Sequence, residues 1–140
     1  MGVNSAMRVS AGSLIKNVTL GLVRNLINET NVRYCVNITK SGIEMLSVVL
    51  VDADYVVGID GEVLTFVIQV KAPVAGYFDL ANNWNMFETV GTVVCLDSGY
   101  FMKFGVLISG GVVEETLRDV IVEFNNQALK FVSKVQQAHR

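Results

Sequence analysis

Asp52, Asp54, Asp60 and Glu62 lie close together in this sequence, and clustered carboxylates can hold a hard cation or move protons. Asp52-Ala53-Asp54 has the opening spacing of a calcium loop. That loop needs Gly at its sixth position, where Val57 stands, and a further oxygen ligand where Val56 stands. The four acids therefore read as polar turn residues between apolar strands, forming a cluster only if their turns meet at one end of a sheet. Nucleophilic chemistry normally uses a base, most often His, and the only His here is His139, next to the last residue. Cys35 and Cys95 sit inside strand-like segments without a close His, which points to plain buried thiols rather than zinc ligands or a disulfide framework. No catalytic residue, metal or cofactor is expected.

A further candidate is Ser109-Gly110-Gly111, which stands just before a helical pattern and could turn bare N–H groups toward an anion. Glu114 and Glu115 already occupy the positive end of that helix, and no Walker lysine follows, so a flexible strand-to-helix connection is the simpler reading. Trp84 suits a core position better than a ligand platform.

The elements that must position these residues follow from periodicity. Leu14, Ile15, Val18, Leu22 and Leu26 recur at helical spacing, which predicts a first helix over about 13–28 with Ser13 as its cap. From Val32 to Val70 the residues turn β-branched and aromatic, broken at Lys40-Ser41-Gly42, Asp52-Ala53-Asp54 and Asp60-Gly61. This predicts three or four antiparallel strands, with Asp60-Gly61 as the centre of a type I′ turn. Pro73 closes the last of them, and a short helix follows from Tyr77 to Asn85, with Tyr77, Leu80 and Trp84 on one stripe. A second hairpin turns at Ser98-Gly99. Leu117, Val120, Ile121, Phe124, Ala128, Phe131, Val132 and Val135 then define a long amphipathic helix from about Glu114 to Gln137.

The expected fold is α+β: one domain over 13–140 behind a short tail, 1–12, with an antiparallel sheet of five to six strands and three helices in the order α-β-β-β(-β)-α-β-β-α. With 140 residues the chain can bury one ordinary core. A net charge of −2 offers phosphate backbones no long-range attraction, and Lys130, Lys134 and Arg140 make too small a basic patch for nucleic-acid binding. Lys16, Arg24, Asp52, Asp60 and Lys71 interrupt every apolar run, so no membrane span is expected. The first ten residues lack the apolar block of a secretory signal, which gives a cytoplasmic expectation, under which the sequons at Asn17, Asn28 and Asn37 are chance matches.

The run Asn82-Asn83-Trp84-Asn85, the paired strands 92–97 and 100–108, and Ser109-Gly110-Gly111-Val112-Val113 before the last helix together resemble the YbjN-like family of bacterial sensory transduction regulators. Asn83 replaces that family's usual basic residue, and Val113 stands where a Ser would be, so the side-chain cap a Ser could supply is lost. The resemblance implies a fold like that of type III secretion chaperones, which dimerise and hold extended peptide segments. It implies no reaction.

The composition agrees, since 51% of the residues are hydrophobic and only 17% charged, more apolar surface than one sheet and three helices need to bury. The expected function is a non-enzymatic protein-binding module, a homodimeric chaperone-like adaptor or regulator for a protein or peptide client, with Val94, Leu96, Phe104 and Val106 or their opposite-face neighbours making the contacts. The alternative is a small-molecule or anion receptor with a pocket formed by Trp84, Ser109, Gly110 and Gly111.

Overall fold

The computed structural model describes residues 13–72, 78–88, 90–96 and 98–139. The tail expected over 1–12, together with Pro73, Tyr77, Asp97 and Arg140, lies outside the described residues.

A short strand, Leu14–Ile15 (β1), precedes helix Leu20–Asn28 (α1). Four strands follow, Tyr34–Lys40 (β2), Ile43–Val49 (β3), Asp54–Asp60 (β4) and Val63–Val70 (β5), then helix Phe78–Phe87 (α2). Strands Thr92–Leu96 (β6) and Gly99–Leu107 (β7), a short strand Val112–Val113 (β8) and helix Glu114–Ala138 (α3) complete the chain. The fold is α+β, with a six-stranded antiparallel sheet in the order β2-β3-β4-β5-β7-β6 and a two-stranded sheet made by β1 and β8. Element order and sheet type match the expectation.

The first helix starts later than its apolar spacing predicts. Thr19, not Ser13, is its N-cap and accepts the Leu22 N–H at 3.2 Å. Leu14 and Ile15 instead pair with Val113 and Val112, and the Ser13 carbonyl accepts the Glu114 N–H at 2.9 Å. Val113 caps α3 without a side-chain hydrogen bond, as its chemistry dictates, and the β1 backbone satisfies one of the N–H groups left bare.

Two turns also differ in detail. Lys40 pairs with Ile43 around Ser41 and Gly42, both with positive φ (55° and 78°), so the type I′ turn falls there. Asp60 pairs with Val63, which makes Gly61-Glu62 the loop; Gly61 alone of the two has positive φ (60°), the signature of a type II′ turn. In the second hairpin Leu96 pairs with Gly99, which places Gly99 in the strand, with Ser98 in the turn before it.

Strand alternation divides the sheet into two unlike faces. Cys35, Leu46, Val48, Tyr55, Val57, Leu64, Phe66, Ile68, Val93, Tyr100 and Met102 are buried and form one core with the inner stripes of α1 and α3. At its centre Phe124 lies 4.8 Å from Tyr55 and 5.0 Å from Phe66, ring centre to ring centre. Asn125, the one buried polar residue among those described, accepts from the Tyr55 hydroxyl at 2.5 Å and donates to Thr30 Oγ1 at 3.0 Å, tying α3 to β4 and to the end of α1. Arg118 reinforces this junction by pairing with Glu29 at 3.0 Å and with Glu114, an exposed link of small energetic weight.

Burial pushes the Cys35 thiol up to about 11 against the opposing pull of Arg24, and burial also raises the Tyr55 phenol. The folded thiol thus holds its proton more tightly than the unfolded one. Its contribution to stability is complete below the unfolded thiol's pKa, about 8.5, and is lost as pH rises through about 11. We expect the thermal midpoint to fall on alkalinisation across that window and Cys35→Ala to flatten the fall; an equally steep fall in the variant would take Cys35 out of the cause.

Candidate functional site

The face of the sheet opposite the helices is uncovered by any described element. Register places its outward residues in rows that cross all the strands. One row runs Lys40, Ile43, Asp60, Val63, Leu107, and another runs Val36, Ser47, Val56, Val67, Lys103, Thr92. A third carries Tyr34, Val49, Asp54, Gln69, Phe101 and Val94. Leu107, beside Val63, is 72% exposed, and Ile43, between Lys40 and Asp60, is 59% exposed. A contiguous apolar surface of this kind marks an interaction site.

The four residues picked from the sequence divide between the two faces. Val94 and Leu96 project from the open face and are about half exposed, while Phe104 and Val106 are half-buried on the helix side, packed against the core. Phe104 also lines a shallow groove of about 330 Å³ with Val90, Val120, Asp119 and Glu123. The alternation of β7 puts Phe104 and Val106 on one side and their opposite-face neighbours Phe101 and Leu107 on the other; sequence reasoning missed Tyr34 and Ile43 because nothing local says which face of β2 and β3 the helices leave bare.

The two edges of the sheet are also unequal. Asn85, in α2, accepts the Val93 N–H at 2.8 Å and donates to the Val93 carbonyl at 3.0 Å, replacing the next strand with a side-chain amide. Edge β6 is thereby blunted. Among the described residues edge β2 has no such cover: its two-residue turn sets the hydrogen-bonding alternation so that the backbone groups of Cys35, Asn37 and Thr39 point away from β3. Asn85→Ala should cost roughly 1 to 3 kcal/mol, because it strands two strand-edge groups. Urea denaturation measures the loss, and a loss below about 0.5 kcal/mol would show that water replaces the amide freely.

Trp84, 2% exposed, packs edge-on against Phe131 at 5.4 Å, and its Nε1–H has no hydrogen-bond partner among the described residues. It borders a groove of about 560 Å³ between α2 and the end of α3, lined also by Asp79, Asn83, Phe87 and Lys134. Phe131 is seventeen residues along α3 from Glu114, about 25 Å at 1.5 Å per residue. The structure therefore does not bring Trp84 together with Ser109, Gly110 and Gly111.

That loop is occupied by its own chain. The Gly111 N–H donates to the Ile108 carbonyl at 3.1 Å, and a Cβ on Gly111 would lie 2.8 Å from the Ile15 carbonyl oxygen. The glycine is needed for the close approach of β1. The acidic residues are equally dispersed: Asp54 and Asp60 stand at opposite ends of β4, about 20 Å apart at 3.3 Å per residue, so their turns do not meet. Among the described residues no group of three or more His, Cys, Asp or Glu could hold a metal ion, and no helix is long and apolar enough to cross a membrane.

Comparison of the chain with family models, with curated proteins and with solved structures found no match.

Proposed function

We propose that this chain is a non-enzymatic protein-binding module, a homodimeric chaperone-like adaptor or regulator of the YbjN-like kind. The observation that carries this reading is the open apolar face of the sheet, where Ile43, Leu107, Tyr34 and Val94 stand exposed with no described element of the chain over them. A protein partner gives such a surface the burial that the chain itself does not supply. The free backbone groups of β2 offer an extended client segment a strand to join, whereas Asn85 closes the other edge. Asn83-Trp84-Asn85 then serves the fold: Trp84 anchors α2 on α3, and Asn85 seals β6.

Light scattering across a dilution series tests the homodimer directly. The expected mass is twice the 15.3 kDa of the chain down to low micromolar concentration. A single-chain mass at every concentration overturns it.

The groove beside Trp84 favours a second reading, a receptor for a small molecule. Its sign would be saturable quenching of the single Trp, and the Gly110-Gly111 loop would take no part.

A further inference from the structure

We infer that the open sheet face is covered by a second copy of this chain, packed face to face about a two-fold axis that runs along the strands between β4 and β5. The inference rests on the homodimer reading above and assigns its interface.

Area comes first. Six strands about 4.8 Å apart and about seven residues long at about 3.3 Å each present roughly 650 Å², or about 1,300 Å² for two copies, within the range of stable interfaces. The sheet is therefore large enough by itself, and a peptide strand laid on it would leave most of it wet.

Complementarity comes from strand order and register. A two-fold axis between β4 and β5 exchanges β4 with β5, β3 with β7 and β2 with β6, keeping each row of the face over itself. Val56 then lies over Val67 of the other copy, Val49 over Phe101, and Ile43 over Leu107. Met45 meets Gly105, a long side chain over a position without one. Lys103 falls over Ser47, Asp54 over Gln69 and Asp60, at the end of its strand, over Val63, so no two like charges meet. Lys40 lines a hollow of this face with Ser47, Asp54 and Gln69, so its charge enters the interface in company with a carboxylate. Sheets packed this way rotate by about 30°, which loosens the corners and leaves the central rows in contact. Both β2 edges stay free for a client.

The test uses Val49 and Phe101, which are three strands apart within one chain, about 14 Å, and opposed only between copies. Val49→Lys and Phe101→Asp, each alone, should raise the dimer dissociation constant by about 100-fold or more, because each sets a charge against an apolar side chain of the other copy. The double variant should recover to within about tenfold of wild type, since the ammonium introduced at position 49 then faces the carboxylate introduced at position 101 of the other copy. Blue-shifted Trp84 emission, from the opposite side of the sheet, reports that each variant is folded. Dimers unmoved by the single charges, or single variants that weaken dimers with no recovery in the double, overturn this interface while leaving the homodimer intact. A wild type that is monomeric throughout sinks both.

Discussion

Gly99→Ala is expected to destabilise the fold by about 3 kcal/mol or more, the sum of a strained backbone and an overfilled site. Gly99 has φ of 137°, which L side chains rarely adopt, and a Cβ there would stand 2.3 Å from the Val70 carbonyl oxygen. The obstacle is backbone, so no side chain can swing aside. Gly99 opens β7 beside the last pair of the β5–β7 ladder, Val70 with Tyr100, and relief of the clash must part these strands where the ladder begins. Gly110→Ala is the matched control: its φ is 79°, but nothing lies within 4 Å of a Cβ there, so it carries strain without collision and should cost about 1 kcal/mol. Equilibrium denaturation of the two variants separates conformation from contact, and equal losses would show that contact at Gly99 is relieved without cost.

Phe124→Ala is expected to cost about 3 to 5 kcal/mol, the range for removing a fully buried aromatic ring. Phe124 is 0% exposed and its ring is shared by Tyr55 and Phe66, so the space it leaves is walled by β4 and β5 rather than by mobile surface. Its neighbour Asn125 holds the Tyr55 hydroxyl, and loss of the ring that steadies Tyr55 should loosen that bond too. Phe124→Leu keeps most of the apolar volume and should recover more than half of the loss. A loss below about 1.5 kcal/mol in the Ala variant would mean that the core collapses around the gap.

The residues that sequence reasoning places well share one property: their pattern is local. The stripe Leu117, Ile121, Phe124, Ala128, Phe131, Val135 is buried along α3 as its spacing predicts, because helical period and core face coincide over the length of the helix. Trp84 is in the core, and Val113 fails to cap, both readable from residue type alone. Leu14 and Ile15 are misplaced by the same reasoning because a helical repeat extends upstream of the cap at Thr19, while their actual partners, Val113 and Val112, lie about a hundred residues away.

The candidate site shows the same division. The apolar excess is legible in the composition, and the alternation of β5 and β7 is legible strand by strand. Sequence could not say that the helices would settle on one face and leave Ile43, Val67 and Leu107 outside. Nor does any periodicity mark Asn85, whose two hydrogen bonds to Val93 exist only because α2 returns along the edge of β6.

The sequence by itself thus determined the three helices and the strands of the main sheet, their order and the surplus of apolar side chains, since these depend on neighbours within a few positions. Only the tertiary structure decided which side of the sheet is bare, which edge is sealed and how far Trp84 stands from Gly110. Those outcomes are set by long-range register, and a shift of one residue in any strand would have sent its apolar side chains to the opposite face.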